Sequence, residues 1–332
     1  MKEYPIYTAV AVTSDGTKYY LDNALTDLVI DESKGELATK VSLNLRNAKT
    51  ETGKYLTGCL DLETRLYVKA NDGEKTEEVF RGYFWDITYT SDEEKTIKVK
   101  VYDRLIYLEK SKDCMYFTAG KYTDVIVRSI CKKWNIACNY TYDKIKHSKL
   151  PFNNKAIADI LIELLELVKK KKGTKYVIRG VKDSIQILKV ATNSTVYHFQ
   201  KQKSAISTSS NVTKDGLITN VVIYGNEDDN ERRAVAATVK GPYFKKYGTI
   251  QDVVTMSGNT TLAEAKQEAN EILKEKGTPE RTYEIDTLDV PWVHKGDLIQ
   301  ITAGDMSGKF VVLSVSHDAL KKTMSMEVEK YG

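Results

Sequence analysis

Between Tyr4 and Asp103 apolar and polar residues alternate with a period of two. This pattern predicts strands over Ile6–Val12, Lys18–Leu21, Leu37–Arg46, Thr64–Ala70, Glu78–Thr90 and Lys95–Tyr102. Asp15-Gly16 and Asn71-Asp72-Gly73 interrupt the alternation where hairpins turn. In the last of these strands Ile97, Val99 and Val101 share one face while Lys98 and Lys100 take the other, so one face is expected to meet a core.

After Leu108 the period changes to that of helices. Ile126, Ile130 and Trp134 recur every four residues within Tyr122–Trp134, and a strand is expected over Ile136–Tyr142. Lys155–Lys172 carries Ile157, Ile160, Leu161, Leu164, Leu165 and Val168 at three- and four-residue spacing, a stripe that must be buried. Four lysines, Lys169 to Lys172, fall in its last turn, where the negative end of the helix dipole attracts cations, and Gly173 supplies the stop. A hairpin over Thr174–Arg179 and Ser184–Val190 completes a small α/β unit.

From about Val196 strands return, with Leu217–Tyr224 and Thr282–Asp286 as candidates. A helix is expected over residues 261–276: Thr261 and Glu264 form a capping-box pair, Leu262, Ala265, Ala269 and Ile272 its apolar face, and Gly277 with Pro279 its end. The tail reads as three strands, Asp297–Thr302, Lys309–Ser316 and Thr323–Glu329, joined by turns at Gly304–Gly308 and Asp318–Lys322, a meander suited to closing a small barrel. The chain is thus expected to be β-rich α+β. It reads as a β module over residues 1–110, a small α/β module with two helices and a hairpin over 111–195, and a second β module over 196–332.

Composition agrees. A chain of 332 residues suits two or three domains of roughly 100–200 residues each. Its 21 Tyr against 7 Phe favour half-exposed sheet faces, where a ring is covered and a hydroxyl stays wet. The formal charge of +4 is small for this length, so specific nucleic-acid binding is not expected. No uncharged stretch reaches the roughly 20 apolar residues of a membrane span, and the first residues carry no secretory-type apolar segment. Folding in a reducing cytoplasm is the expectation, with Cys59, Cys114, Cys131 and Cys138 as free thiols.

Catalytic and cofactor motifs are not found. Gly304 to Phe310 resembles a phosphate loop, but it has three residues between its glycines where four are needed, and Phe310 stands where a Ser or Thr must bind magnesium. No C-x-x-C pair exists for zinc, and His147, His198, His294 and His317 are scattered, with His198 and His317 read as strand residues holding local hydrogen bonds. The acidic run Glu227 to Glu231, followed by Arg232-Arg233, reads as a solvated loop. No cofactor, metal or catalytic residue is therefore assigned. In Phe80-Arg81-Gly82-Tyr83-Phe84-Trp85, alternation puts Phe80, Gly82 and Phe84 on one face and Arg81, Tyr83 and Trp85 on the other. Large aromatics on an outer face make Tyr83 and Trp85 candidate subunit contacts, with packing inside the chain as the alternative. Trp292, in Pro291-Trp292-Val293-His294, is read as a plug for the end of the second barrel.

Two blocks carry a family likeness. The strands from Val79-Phe80-Arg81-Gly82 to Val101, followed by Tyr102-Asp103-Arg104-Leu105-Ile106-Tyr107-Leu108, resemble the end of the first tube-like domain of contractile phage-tail hub proteins. The agreement is closest with the XkdQ/YqbQ-like group of prophage tail proteins. Lys246-Tyr247-Gly248-Thr249-Ile250-Gln251, the helix Ala263–Lys274, Val293-His294-Lys295-Gly296-Asp297-Leu298-Ile299, Gly308-Lys309-Phe310-Val311-Val312, His317 and Met324-Ser325-Met326 agree in order and spacing. The group is similar to myophage baseplate hubs and to the N-terminal part of VgrG-type spike proteins.

The resemblance implies two tube-like β-barrel domains flanking the α/β module, and a non-enzymatic homotrimer that adapts a sixfold tail tube to a threefold central spike. It implies assembly in the bacterial cytoplasm into the baseplate of a phage or an R-type-bacteriocin-like particle. Tail tube, spike and LysM-containing adaptor proteins are the implied partners, with the tape-measure protein as a further one. The alternatives from other classes are a peptidoglycan hydrolase and a wall-binding module.

Overall fold

The computed structural model describes residues 5–90, 96–140, 145–201, 203–227, 232–256 and 260–331. Lys95 and Tyr142, at the ends of two expected strands, and residues 228–231 of the acidic loop lie outside the described residues. The chain divides into two compact units, Met1–Thr208 together with Glu284–Gly332, and Ser209–Tyr283.

The first strands are β1 (Ile6–Val12), β2 (Lys18–Tyr20), β3 (Leu25–Glu32), β4 (Lys40–Arg46), β5 (Arg65–Asn71), β6 (Thr76–Tyr89) and β7 (Thr96–Tyr102). There follow α1 (Ile106–Lys110), β8 (Lys112–Phe117), α2 (Thr123–Lys133), β9 (Ala137–Tyr140), β10 (Leu150–Ala156), α3 (Ile157–Lys172), β11 (Tyr176–Val181), β12 (Ser184–Lys189), β13 (His198–Gln200) and β14 (Ala205–Thr213). The remainder is β15 (Asn220–Glu227), β16 (Arg233–Lys240), α4 (Phe244–Tyr247), β17 (Gln251–Thr255), α5 (Leu262–Lys276), β18 (Glu280–Leu288), β19 (Leu298–Ala303), β20 (Met306–Asp318) and β21 (Thr323–Lys330).

Strands from both ends of the chain share one 13-stranded sheet, in the order β14-β18-β21-β20-β3-β4-β7-β6-β5-β1-β2, with β19 on β20 and β13 on β19. The order is open among the described residues. Strand β3, for which the alternation gives no expectation, joins the two blocks. It pairs antiparallel with β4 on one side and with β20 on the other, where His317 faces Ile30 and Ser316 faces Asp31. Ser316 Oγ donates to Asp31 at 2.6 Å, fixing that register. The inner face of the N-terminal block buries Ala9, Leu28, Val41, Leu43, Leu45, Leu66, Val68, Phe84, Val99 and Val101 in one cluster, as period-two alternation requires.

In the α/β part, β8 pairs with β10, and β9 lies parallel to β12 beside β11. The stripe of α3 is buried as expected, Ile157, Ile160, Leu161, Leu164 and Val168 among them, against Ile126, Ile130, Ile185 and Ile187. Gly173 ends the helix at φ 72°, and its N–H donates to Lys169 O at 2.7 Å. Strands β8 and β10 were not expected from the sequence.

In the unit Ser209–Tyr283, β15 lies between antiparallel β16 and parallel β17. The capping box of α5 is present, with Thr261 Oγ1 accepting from Glu264 N at 3.2 Å and Glu264 accepting from Thr261 N at 2.8 Å. Its buried face is Ala265, Ala269 and Leu273, packed on Val221, Ile223 and Val254. Leu262, expected on that face, is 37% exposed because it opens the first turn, before the helix reaches the sheet. The expected turn Gly304–Gly308 is shorter than read: β20 already begins at Met306, opposite Ala303, leaving only Gly304 and Asp305 in the hairpin.

Candidate assembly surface

Alternation along β6 sends Phe80 and Phe84 into the core and Arg81 and Tyr83 to the other face. Tyr83 stands opposite Tyr102 of β7 and Phe84 opposite Val101, after which the register slips and Asp86 faces Lys100. Trp85 is the extra residue of this bulge. A bulge re-aims the side chain it inserts, and here the indole joins an edge-to-face chain of rings. Tyr83 and Tyr107 have centroids 5.8 Å apart, Tyr107 and Trp85 5.6 Å, and Trp85 and Tyr102 6.1 Å.

The two expected contact residues differ in cover. The guanidinium of Arg65 lies 4.8 Å from the centroid of the half-buried Tyr83 ring, and Arg65 and Arg81 both bind Asp183 of the β11–β12 turn, at 2.8 and 3.0 Å. Glu78 grips Arg81 through two further hydrogen bonds of 2.6 and 2.8 Å, which raise the guanidinium pKa further. Tyr83 is thus half-covered by charged side chains of its own chain. Trp85 is 36% exposed and Tyr107 43%. Beside Trp85, Leu60, Leu62, Ile87 and Tyr89 line a shallow depression of about 600 Å³, in which Leu62 and Tyr89 are themselves exposed. Tyr107, Tyr89 and Leu62 were not singled out by sequence reading. Tyr107 lies on α1 and Leu62 in the loop before β5, so tertiary packing, which no local pattern encodes, brings them beside Trp85.

Buried charge ties β3 and β11 to the loop between β18 and β19. Glu32, at the end of β3, accepts from His294 Nδ1 at 2.7 Å and from the Lys295 N–H at 2.9 Å. Burial pushes the Glu32 carboxyl up, but His294, the Arg179 charge and the Lys295 N–H together outweigh it and hold the pKa at about 2. Arg179 donates to Asp297 at 2.7 Å and to Lys295 O at 2.6 Å. Asp103 behaves oppositely. Burial pushes its pKa up to about 7, although it accepts from the Thr39 and Leu105 N–H groups at 3.1 and 2.9 Å. Glu32, Asp103, Arg179 and His294 line a cavity of about 280 Å³.

His317 is bound through both ring nitrogens, to Asp289 at 2.6 Å and to Val293 O at 3.1 Å, and Tyr7 donates to the second oxygen of Asp289 at 2.5 Å. His198 bonds Thr302 Oγ1 at 2.9 Å, so both histidines are strand residues as expected, but their partners are distant in sequence rather than local, because strand pairing and the β18–β19 loop bring them in. Trp292 donates to Asp72 at 2.6 Å and lies under Lys75, which ties it to the β5–β6 turn. Among the described residues no helix is long and apolar enough to cross a membrane, and no group of three or more His, Cys, Asp or Glu is placed to hold a metal ion.

The described part of the chain is thus a β-rich protein with an open mixed sheet and an exposed aromatic patch. The chain belongs to the YQBQ-like family, whose model matches residues 61–329. It is 26% identical to the phage-like element PBSX protein XkdQ of Bacillus subtilis over 80% of this chain and 79% of that one. Its fold is that of the tail protein from Neisseria meningitidis MC58, with a TM-score of 0.71 at 11% identity over 98% of this chain and 97% of the other. The 43 kDa tail protein of prophage MuSo2 from Shewanella oneidensis is similar too, with a TM-score of 0.67 at 12% identity over 97% and 98%.

Proposed function

We propose that this chain is a structural hub protein in the baseplate of a contractile phage tail or tail-like particle, without catalysis of its own. The observation that carries this reading is the end-to-end likeness of its fold to two phage-tail proteins. The likeness to XkdQ, a protein of a phage-like element, supports it independently. On this reading residues 1–110 and 196–332 supply two tube-like barrel domains, and residues 111–195 the α/β module between them. Three copies then offer six similar modules to a sixfold tail tube while keeping a threefold surface for the central spike, which one module per chain cannot do with closed symmetry. Trp85 and Tyr83 lie at a subunit contact. The LysM-containing adaptor and the tape-measure protein are further partners, and assembly takes place in the bacterial cytoplasm before the chain enters the tail.

The test is solution mass. The purified chain, alone and with the spike protein of the same particle, is expected to give a three-chain species in at least the mixture, and a single-chain species under both conditions argues against the hub.

A second reading, a peptidoglycan hydrolase of a prophage tail, is favoured by the two carboxyls in one cavity whose pKa values are driven apart, Glu32 to about 2 and Asp103 to about 7. Peptidoglycan turnover that is lost in Asp103→Asn decides for it. A wall-binding module would instead be retained on purified cell walls, through the exposed Trp85, Tyr89 and Tyr107.

A further inference from the structure

The end of α2 and the start of β9 bring two thiols together. Cys131 lies in the last turns of α2 and is 2% exposed, and Cys138 is the second residue of β9 and half-buried. Between them Asn135, at φ 50°, reverses the chain, and the Ile136 N–H returns to Cys131 O at 2.9 Å. The helix packs on the strand it leads into. Both cysteines line one open cavity of about 490 Å³, together with Arg128, Lys132 and Asn135. Solvent therefore has a path to the pair, and the charge beside that path is positive.

The two thiols differ in character. The neighbouring Cys131 thiol lowers the pKa of Cys138, and the Arg128 charge lowers it further, against partial burial that raises it. The neighbouring Cys138 thiol and burial push Cys131 up. One sulfur is thus the accessible nucleophile, and the other waits behind it.

We propose that Cys131 and Cys138 are a redox-active dithiol that closes to an intrachain disulfide by exchange with a small disulfide bearing carboxylates, which Arg128 and Lys132 attract. The Cys138 thiolate attacks one sulfur of the small disulfide, whose S–S bond breaks and releases the first thiolate. Cys131 then attacks the Cys138 sulfur of the mixed disulfide and displaces the second. The two cysteines are oxidised by two electrons, the small disulfide is reduced by two, and the two protein thiol protons leave with the two released thiols. The product staples α2 to β9.

Oxidised glutathione is the probe, applied to the full-length native chain carrying Cys59→Ser and Cys114→Ser, so that only this pair remains. After unfolding and alkylation, the intact mass is expected to show the loss of two hydrogens, no retained glutathione and no alkylation. Adding Cys131→Ser is expected to leave one glutathione on Cys138, and adding Cys138→Ser to leave Cys131 unmodified. Near-UV circular dichroism confines the comparison to folded variants, with Cys131→Ala used where serine unfolds the core. Two alkylatable thiols at a glutathione concentration that modifies the exposed Cys114 of the parent chain overturn the proposal. So does a glutathione that persists on Cys138 while Cys131 is present.

Discussion

The imidazole of His317 and the carboxylate of Asp289 meet at 2.6 Å with side chains only 4% and 0% exposed. The other ring nitrogen faces the carbonyl of Val293, so both nitrogens face acceptors, and both bonds form only when the ring carries two protons and a charge. Burial pushes the His317 pKa down, but Asp289, the Glu32 charge and the Val293 carbonyl together outweigh it, and the net shift is upward. A raised histidine pKa stabilises the fold fully below the unfolded value of about 6.5, and this contribution is lost as pH rises through the folded value. The stability difference between the parent chain and His317→Gln, from urea midpoints between pH 6 and 9, is therefore expected to shrink as pH rises. A constant difference contradicts the charged pair.

Glu32 shows the opposite dependence. Its carboxyl is held at about 2, so its contribution is present above the unfolded value of about 4.5 and fades as pH falls toward 2. Glu32→Gln keeps the shape but withdraws the charge from His294 and the Lys295 N–H, at an expected cost of about 2 kcal/mol at pH 7. Denaturant unfolding of the two chains between pH 7 and 3 should bring them together.

Gly82 admits no side chain. A Cβ there would stand 2.3 Å from the carbonyl oxygen of Tyr102 and 2.6 Å from the Phe80 ring, and the first of these is strand backbone that cannot move aside. Gly82→Ala is expected to cost about 3 kcal/mol through overpacking and to disturb the β6–β7 register. Thermal melting measures the loss, and the fluorescence of nearby Trp85 reports the register.

Trp85→Ala separates the exposed ring from the buried one. Within the chain it loses only the edge contacts to Tyr102 and Tyr107, about 1 kcal/mol each. If the ring belongs to a subunit contact, truncation there costs 2 kcal/mol or more of association, in the manner of interface hot spots. Sedimentation over a concentration series is expected to show weaker self-association, with the melting temperature lowered by only several degrees. Unchanged association assigns Trp85 to packing alone.

Much of this architecture is readable from period-two and period-four patterns, because β1, β7, α3 and α5 each bury one face. Strand β3 was not readable, although it joins the two halves of the sheet. Its Asp27, Asp31 and Glu32 look like solvated loop chemistry, and what buries Glu32 is His294, 262 positions away. Strand β14 carries Ser207 to Ser210 and buries little, so it has no apolar signature. At the candidate surface, alternation revealed Tyr83 and Trp85. The bulge that turns Trp85 toward Tyr107 depends on pairing between β6 and β7, which no local pattern encodes.

The central claim is that three copies of this chain form the unit that meets tube and spike. Multi-angle light scattering of the purified chain, alone and mixed with the central spike protein, tests it most directly. A particle holding three copies of the chain is the expected result, and a monomer in both samples would contradict it.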